Sequence, residues 1–214
     1  NFQWLWRDII ADRYKSFQQT QPTLDEFEAQ LKMFAAFDDK FEAIEPSYSV
    51  SALSLKSATL VKCLKDLAGD WKVAYSKELH VGARARLENL SESIKNTMKR
   101  MNREVTEADI DALGYVMTTL QDVRKKQSEI ELEFGPIFHT YSILDTYLPA
   151  NVMDKDELDA RAMLKSNWDK LSQECEKRQD VLSTKQAEYK KTLIETVNTF
   201  KKDVKSFREG YEKK

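Results

Sequence analysis

The sequence predicts an all-α fold: an elongated up-down-up bundle of three long helices, preceded by two shorter helices. Three observations predict it. Gly occurs five times and Pro four times in 214 residues, against 33% charged and 41% hydrophobic residues. Few breakers among many Lys, Glu, Leu and Ala is the composition of long helices. Apolar residues then recur every three or four positions over long stretches, the period of one helix face. The third observation is the stretch from Asp154 onward, which has no Pro and no Gly before Gly210. Its seam is Trp168, Leu171, Cys175, Leu182, Tyr189, Leu193, Val197, Phe200, Val204, Phe207 and Tyr211, weakened at Arg178, Lys185 and Gln186. A helix of about 60 residues spans roughly 90 Å. It needs partners of similar length to bury such a stripe.

The first segment runs from Phe2 to about Gln19. Phe2, Leu5, Trp6, Ile9, Ile10, Arg13 and Phe17 share a broad face, with Trp4 and Tyr14 on its flanks. So many aromatics on a short helix imply a second packing surface. The next helix follows Pro22 and opens on a capping box, Thr23-Leu-Asp-Glu26. Leu24, Phe27, Leu31, Phe34, Phe41 and Ile44 keep its period, and Pro46 ends it. From Ser47 to Ser54, Tyr48, Val50 and Ala52 alternate with serines, as in a linker or a short extended segment.

Three long helices follow. The first, about Leu55 to Glu104, has the seam Leu60, Leu64, Leu67, Trp71, Tyr75, Leu79, Ala83, Leu87, Leu90, Ile94, Met98, Met101 and Val105. Gly69 and Gly82 inside it read as close packing or a bend. Thr106-Glu-Ala-Asp109, a variant capping box, marks a reversal between Arg103 and Asp109. The second, Glu107 to Leu148, carries Ile110, Leu113, Met117, Leu120, Ile130, Phe134, Ile137, Tyr141, Leu144 and Leu148. Pro136 predicts a kink near Glu133. A turn at Leu148-Pro149-Ala-Asn151 reverses the chain, and Asp154-Lys-Asp-Glu157 caps the third long helix. Residues 1–54 thus form two shorter aromatic-rich helices plus a linker, and 55–214 a long antiparallel bundle. The chain begins without Met inside an aromatic cluster and stops in a continuing helix, so a fragment of a larger chain is expected.

Charge and motifs exclude several functions. There are 34 basic and 36 acidic residues, a formal net charge of -2, and no global pull toward nucleic acid or an anionic membrane. No apolar run is long enough for a transmembrane helix. Neither phosphate-loop nor dinucleotide fingerprint is present, and no cofactor or metal is expected. Cys63 and Cys175 sit on apolar helical positions, as small buried hydrophobes in a reducing cytosol do. His80 and His139 fall in no ligand spacing and read as structural or solvated. A di-iron bundle needs Glu three residues before each His, where Lys77 and Pro136 stand. The acidic clusters Asp38-Asp39 and Asp154-Lys-Asp156-Glu157 read as caps and solvated faces. Asn89-Leu-Ser91 matches a glycosylation sequon by chance. Two basic stretches, Arg84 to Arg103 and Lys185 to Arg208, read as solvated faces or as docking sites for an acidic partner; interleaved acids argue against nucleic acid. Trp71→Ala and Leu193→Ala are each expected to cost about 2–5 kcal/mol as core truncations.

In this order the segments resemble the tail region of dynein heavy chains, the axonemal kind in particular. The resemblance rests on Phe2-Gln-Trp-Leu-Trp-Arg-Asp8, on Leu64 to Leu79 with Trp71 and Tyr75, and on Val116-Met-Thr-Thr-Leu-Gln-Asp-Val-Arg124. Pro136-Ile, Tyr141-Ser-Ile-Leu144, Trp168-Asp-Lys-Leu171 and Phe200 to Phe207 continue it. It implies a non-catalytic segment of a microtubule motor whose ATPase ring lies elsewhere, and it transfers no catalytic residue. It further implies other heavy chains, intermediate or light chains, and docking structures on the doublet microtubule as partners, in the cytoplasm or cytoskeleton of a ciliary or flagellar axoneme. Trp4, Trp6, Arg100 and Arg103 are the candidate contacts. The competing expectation is a spectrin-like or membrane-binding helical scaffold, against which Glu88, Glu92, Glu188, Glu195 and Asp203 interrupt the cationic faces.

Overall fold

The computed structural model describes residues 3–103 and 110–212. It is all-α apart from one hairpin: α1 (Trp4–Arg7), α2 (Ile10–Gln19), α3 (Leu24–Glu42), β1 (Ser47–Val50), β2 (Leu53–Lys56), α4 (Ala58–Met101), α5 (Ile110–Tyr147) and α6 (Lys155–Glu212). The three long helices have 44, 38 and 58 residues. The chain falls into two compact units. One comprises Asn1–Asn89 and Glu131–Arg161, the other Leu90–Ile130 and Ala162–Lys214.

The first unit is built on aromatic rings. Trp71 of α4 is fully buried, and its indole Nε1 donates to the Leu5 carbonyl at 3.0 Å. That bond satisfies the one polar atom of a ring otherwise held by apolar contact. Trp4 meets Trp71 edge-on at 5.4 Å between ring centroids, and Phe34 stacks on it at 6.0 Å. Tyr75 joins Tyr14, Phe17 and Phe34. Helix α3 presents Leu31, Phe34, Phe37 and Phe41 to this core. Its start is the expected box: the Glu26 amide donates to Thr23 Oγ1, and the Thr23 amide donates to the Glu26 carboxylate at 2.7 Å.

Several expectations are corrected here. The first segment is two helices, because Asp8 and Ile9 are both extended. The break resets the helix phase. Trp4 and Tyr14, expected on the flanks, pack in the core, while Trp6 and Ile9, expected on the face, are exposed. Residues 47–56 form a hairpin with Tyr48 opposite Leu55 and Val50 opposite Leu53, so α4 begins at Ala58. The first seam residue of the third segment, Leu60, is exposed. So is Cys63, which lies off the Leu64, Ala68 and Trp71 face. A Cβ at Gly69 or Gly82 would meet nothing within 4 Å, so neither glycine marks close packing. Helix α5 includes Pro136 within its length, as the expected second long helix does. The expected reversal with Thr106-Glu-Ala-Asp109 falls on residues 104–109, outside the described residues.

In the second unit the buried residues include Leu90, Ile94 and Met101 of α4, Leu113, Val116 and Leu120 of α5, and Leu164, Trp168, Leu171 and Leu182 of α6. Most of these stand on the expected seams; Val116 is buried where Met117 was expected, and Leu164 extends the α6 seam one step before Trp168. From Leu193 to Phe207 the seam of α6 is exposed: Leu193 is 63% accessible and Phe207 78%. Leu193 therefore is not a core residue of this chain, and the large truncation cost expected for it does not apply.

Candidate functional site: a buried polar clamp and an exposed apolar stripe

In the first unit, three long helices meet at one carboxylate. Helix α6 starts with Asp154 as its cap: the Glu157 amide donates to Asp154 Oδ1 at 2.8 Å. This bond, with the Arg84 guanidinium beside it, holds the Asp154 carboxyl below its ordinary range. The Glu157 side chain does not complete a reciprocal cap. It turns inward and is 2% exposed. His80 Nε2 of α4 donates to it, 2.8 Å from Oε1 and 3.0 Å from Oε2. The Tyr141 hydroxyl of α5 donates to Oε1 at 2.6 Å. Arg84 Nη1 lies 3.8 Å from Oε2, while its Nη2 pairs with Asp154 and its Nε with Glu88.

A buried carboxylate demands such donors, because a charge taken from water is stable only when paired and hydrogen-bonded. Burial first, and the bond to Glu157 next, push the Tyr141 phenol far above its ordinary value. Arg161, one turn after Glu157 on α6, grips Asp145 with two bonds of 3.0 and 2.8 Å and lies over the Tyr141 ring. The arrangement can fasten helices together at a fixed register. His80, Tyr141 and Arg161 are all engaged in bonds between helices.

The sequence left His80 as structural or solvated, and its buried bond to Glu157 is of the first kind; Glu157, read as a cap or solvated acid, is corrected by its buried geometry. The signal for Glu157 was its place in the seam: it stands seven residues before Leu164, which stands seven before Leu171, both buried.

The candidate contact residues are scattered. Trp4 is half-buried in the aromatic core with Arg13 over its ring at 4.2 Å. Trp6 is 54% exposed. In the second unit Arg100 pairs with Asp122, and Arg100 and Arg103 both lie over the Tyr115 ring, while the Arg103 carbonyl accepts from Arg178. The larger exposed feature went unforeseen. On α6, Leu193, Ile194, Val197, Phe200, Val204 and Phe207 are all exposed. A contiguous apolar patch of this kind marks an interaction surface.

The fold and these features define a class first: an all-α segment whose long helices are clamped by packing and buried bonds. No family model matches the chain. The flagellar outer-arm dynein gamma chain of Chlamydomonas reinhardtii is 31% identical over 99% of it, and the chain spans 5% of that protein. Dynein axonemal heavy chain 5 of Rattus norvegicus is 27% identical over 97% of the chain, which spans 6% of it. Dynein axonemal heavy chain 8 of Homo sapiens is 26% identical over 97%, which spans 4% of it. The chain is homologous, over nearly its whole length, to a segment of axonemal dynein heavy chains.

Proposed function

We propose that the chain is a structural, non-catalytic segment of a dynein heavy-chain tail, which transmits force and mediates assembly with other dynein subunits in an axonemal microtubule motor. The observation that carries this is the match over 99% of the chain to a heavy chain of which it spans only 5%, in a segment made largely of helices 44, 38 and 58 residues long.

The mechanism is mechanical. Bending a packed helix pair must slide one apolar seam along the other, and close-packed interiors resist such sliding. The Glu157 clamp adds bonds that a register shift would break. Force from the motor then passes along the segment to the base docked on a doublet microtubule. Other heavy chains and intermediate or light chains are the partners, with the exposed Trp6 as one contact and Trp4, Arg100 and Arg103 acting beside their internal roles. ATP turnover belongs to other parts of the parent chain. Among the described residues, no helix is long and apolar enough to cross a membrane.

The test places Trp71→Ala together with Glu157→Ala in the full heavy chain. Arms should be lost or misassembled on the axoneme, while ATP turnover by the purified variant heavy chain stays at the wild-type rate. Normal arms and beating with impaired turnover would overturn the reading, as would ATP hydrolysis by the isolated segment.

A further inference from the structure

The exposed end of α6 has the pattern of a seat for another helix. Leu193, Val197, Phe200, Val204 and Phe207 succeed one another at steps of four, three, four and three residues, the spacing of a heptad seam. In that phase Ile194, Lys201 and Arg208 border the seam on one side, and Thr196 and Asp203 on the other. Lys202 and Lys205 lie behind. From Lys185 to Glu209 there are seven basic and four acidic residues, a net charge of +3. Lys201, Lys202 and Lys205 have no ion-pair partner among the described residues.

We propose that this stripe seats an amphipathic helix of the same heavy chain, from outside this segment, whose apolar face is bordered by Asp or Glu opposite Lys201 and Arg208. The inference rests on the dynein reading, since it requires a longer polypeptide. Charge sets the chemistry of the occupant: acidic flanks neutralise the basic border, and unlike charges beside a helix seam select the partner. Area sets its source. The stripe can bury on the order of 400 Å², about half of the roughly 800 Å² that each partner contributes to a stable interface between free proteins. A second copy would bring that small area and a second net positive helix. A helix tethered in the same chain by a short linker meets the stripe at an effective concentration on the order of millimolar, where a small seam suffices. The curated relatives supply such chain in quantity, being about twenty times longer than the segment they match.

The experiment places a photo-crosslinking amino acid at Phe207 of the full heavy chain, in the intact complex isolated from axonemes. Val81, an exposed residue of the other unit, is the control position. Crosslinks from Phe207 should stay within one heavy chain, and peptide mapping should find an acceptor helix with Asp or Glu beside its apolar face. The double variant Lys201→Glu, Arg208→Glu should lower the yield about tenfold. Crosslinks to another subunit or a second copy, a yield no higher than at Val81, or a yield indifferent to charge reversal would each overturn the inference and leave the tail reading standing. If the heavy chain never enters an axonemal motor complex, it is the tail reading that fails.

Discussion

Glu157 concentrates in one side chain what holds the first unit in register. Its carboxylate accepts from His80 and Tyr141 with almost no water. Glu157→Ala strands both donors, and breaking such a buried set costs about 3–5 kcal/mol; denaturant titration of the segment should show that loss. Tyr141→Phe removes one donor and keeps the ring, so about 1 kcal/mol is expected near neutral pH. Its pH dependence is more diagnostic. The folded state holds the Tyr141 phenol protonated well above its ordinary value of 10.0. A group raised on folding contributes stability that is complete below its unfolded pKa and is lost as pH rises through the folded one. Stability should therefore fall from about pH 10 upward, and less steeply in Tyr141→Phe than in the wild type. Equal slopes would mean that Tyr141 is not held this way. Trp71→Ala leaves a cavity beneath Trp4 and Phe34 and should cost about 3–5 kcal/mol. Trp71 was legible because it fits the helical period. Glu157 was not, because a charged residue at a seam position looks the same whether it turns out to water or in toward donors on two other helices.

At the scale of elements, the long helices and the capped start of α3 were readable, and the break between α1 and α2 was not. Leu64, Trp71, Tyr75, Leu87 and Ile94 fall where a period of three or four places them, and all are buried. The split between α1 and α2 has no local signal: no Gly or Pro stands near Asp8 and Ile9. The break is sustained by contacts far away in sequence, with Trp71 bonding the Leu5 carbonyl, and by the Arg13–Asp8 ion pair across the joint. The hairpin was half legible, since alternation showed extended chain but could not show that Val50 pairs with Leu53. The glycines of α4 give a prediction that belongs to the helix itself. Gly69 and Gly82 lie in its interior with space around the missing Cβ, so alanine adds helix propensity without a clash. Each change should stabilise the segment by about 1 kcal/mol, and a thermal melt of the double variant should rise accordingly. A drop would show that one of these sites packs closely after all.

Across the whole molecule, burial is uneven, and this sets where the segment opens first. The first unit has a shared aromatic core and the clamp at Glu157, whereas from Lys191 to Glu209 every described residue of α6 is exposed. The sequence could not distinguish these regions, because Leu193 and Leu87 carry the same apolar period; whether a stripe is covered depends on what is folded against it. Protection against amide exchange follows local packing, not helix length. Amides of α4 around Trp71 and Tyr75 should exchange only with opening of the first unit. Those from Lys191 to Glu209 should exchange faster by several orders of magnitude, since a lone solvated helix is marginal in water. Leu193→Ala should then change the stability of the segment by less than about 0.5 kcal/mol. The same substitution in the full heavy chain should cost more, by the amount that a seated helix adds. Hydrogen exchange on both forms measures this directly: a stripe covered in the parent should show strong protection from Leu193 to Phe207 in the full chain and none in the segment. Equal exchange in the two would mean that α6 ends in water in both.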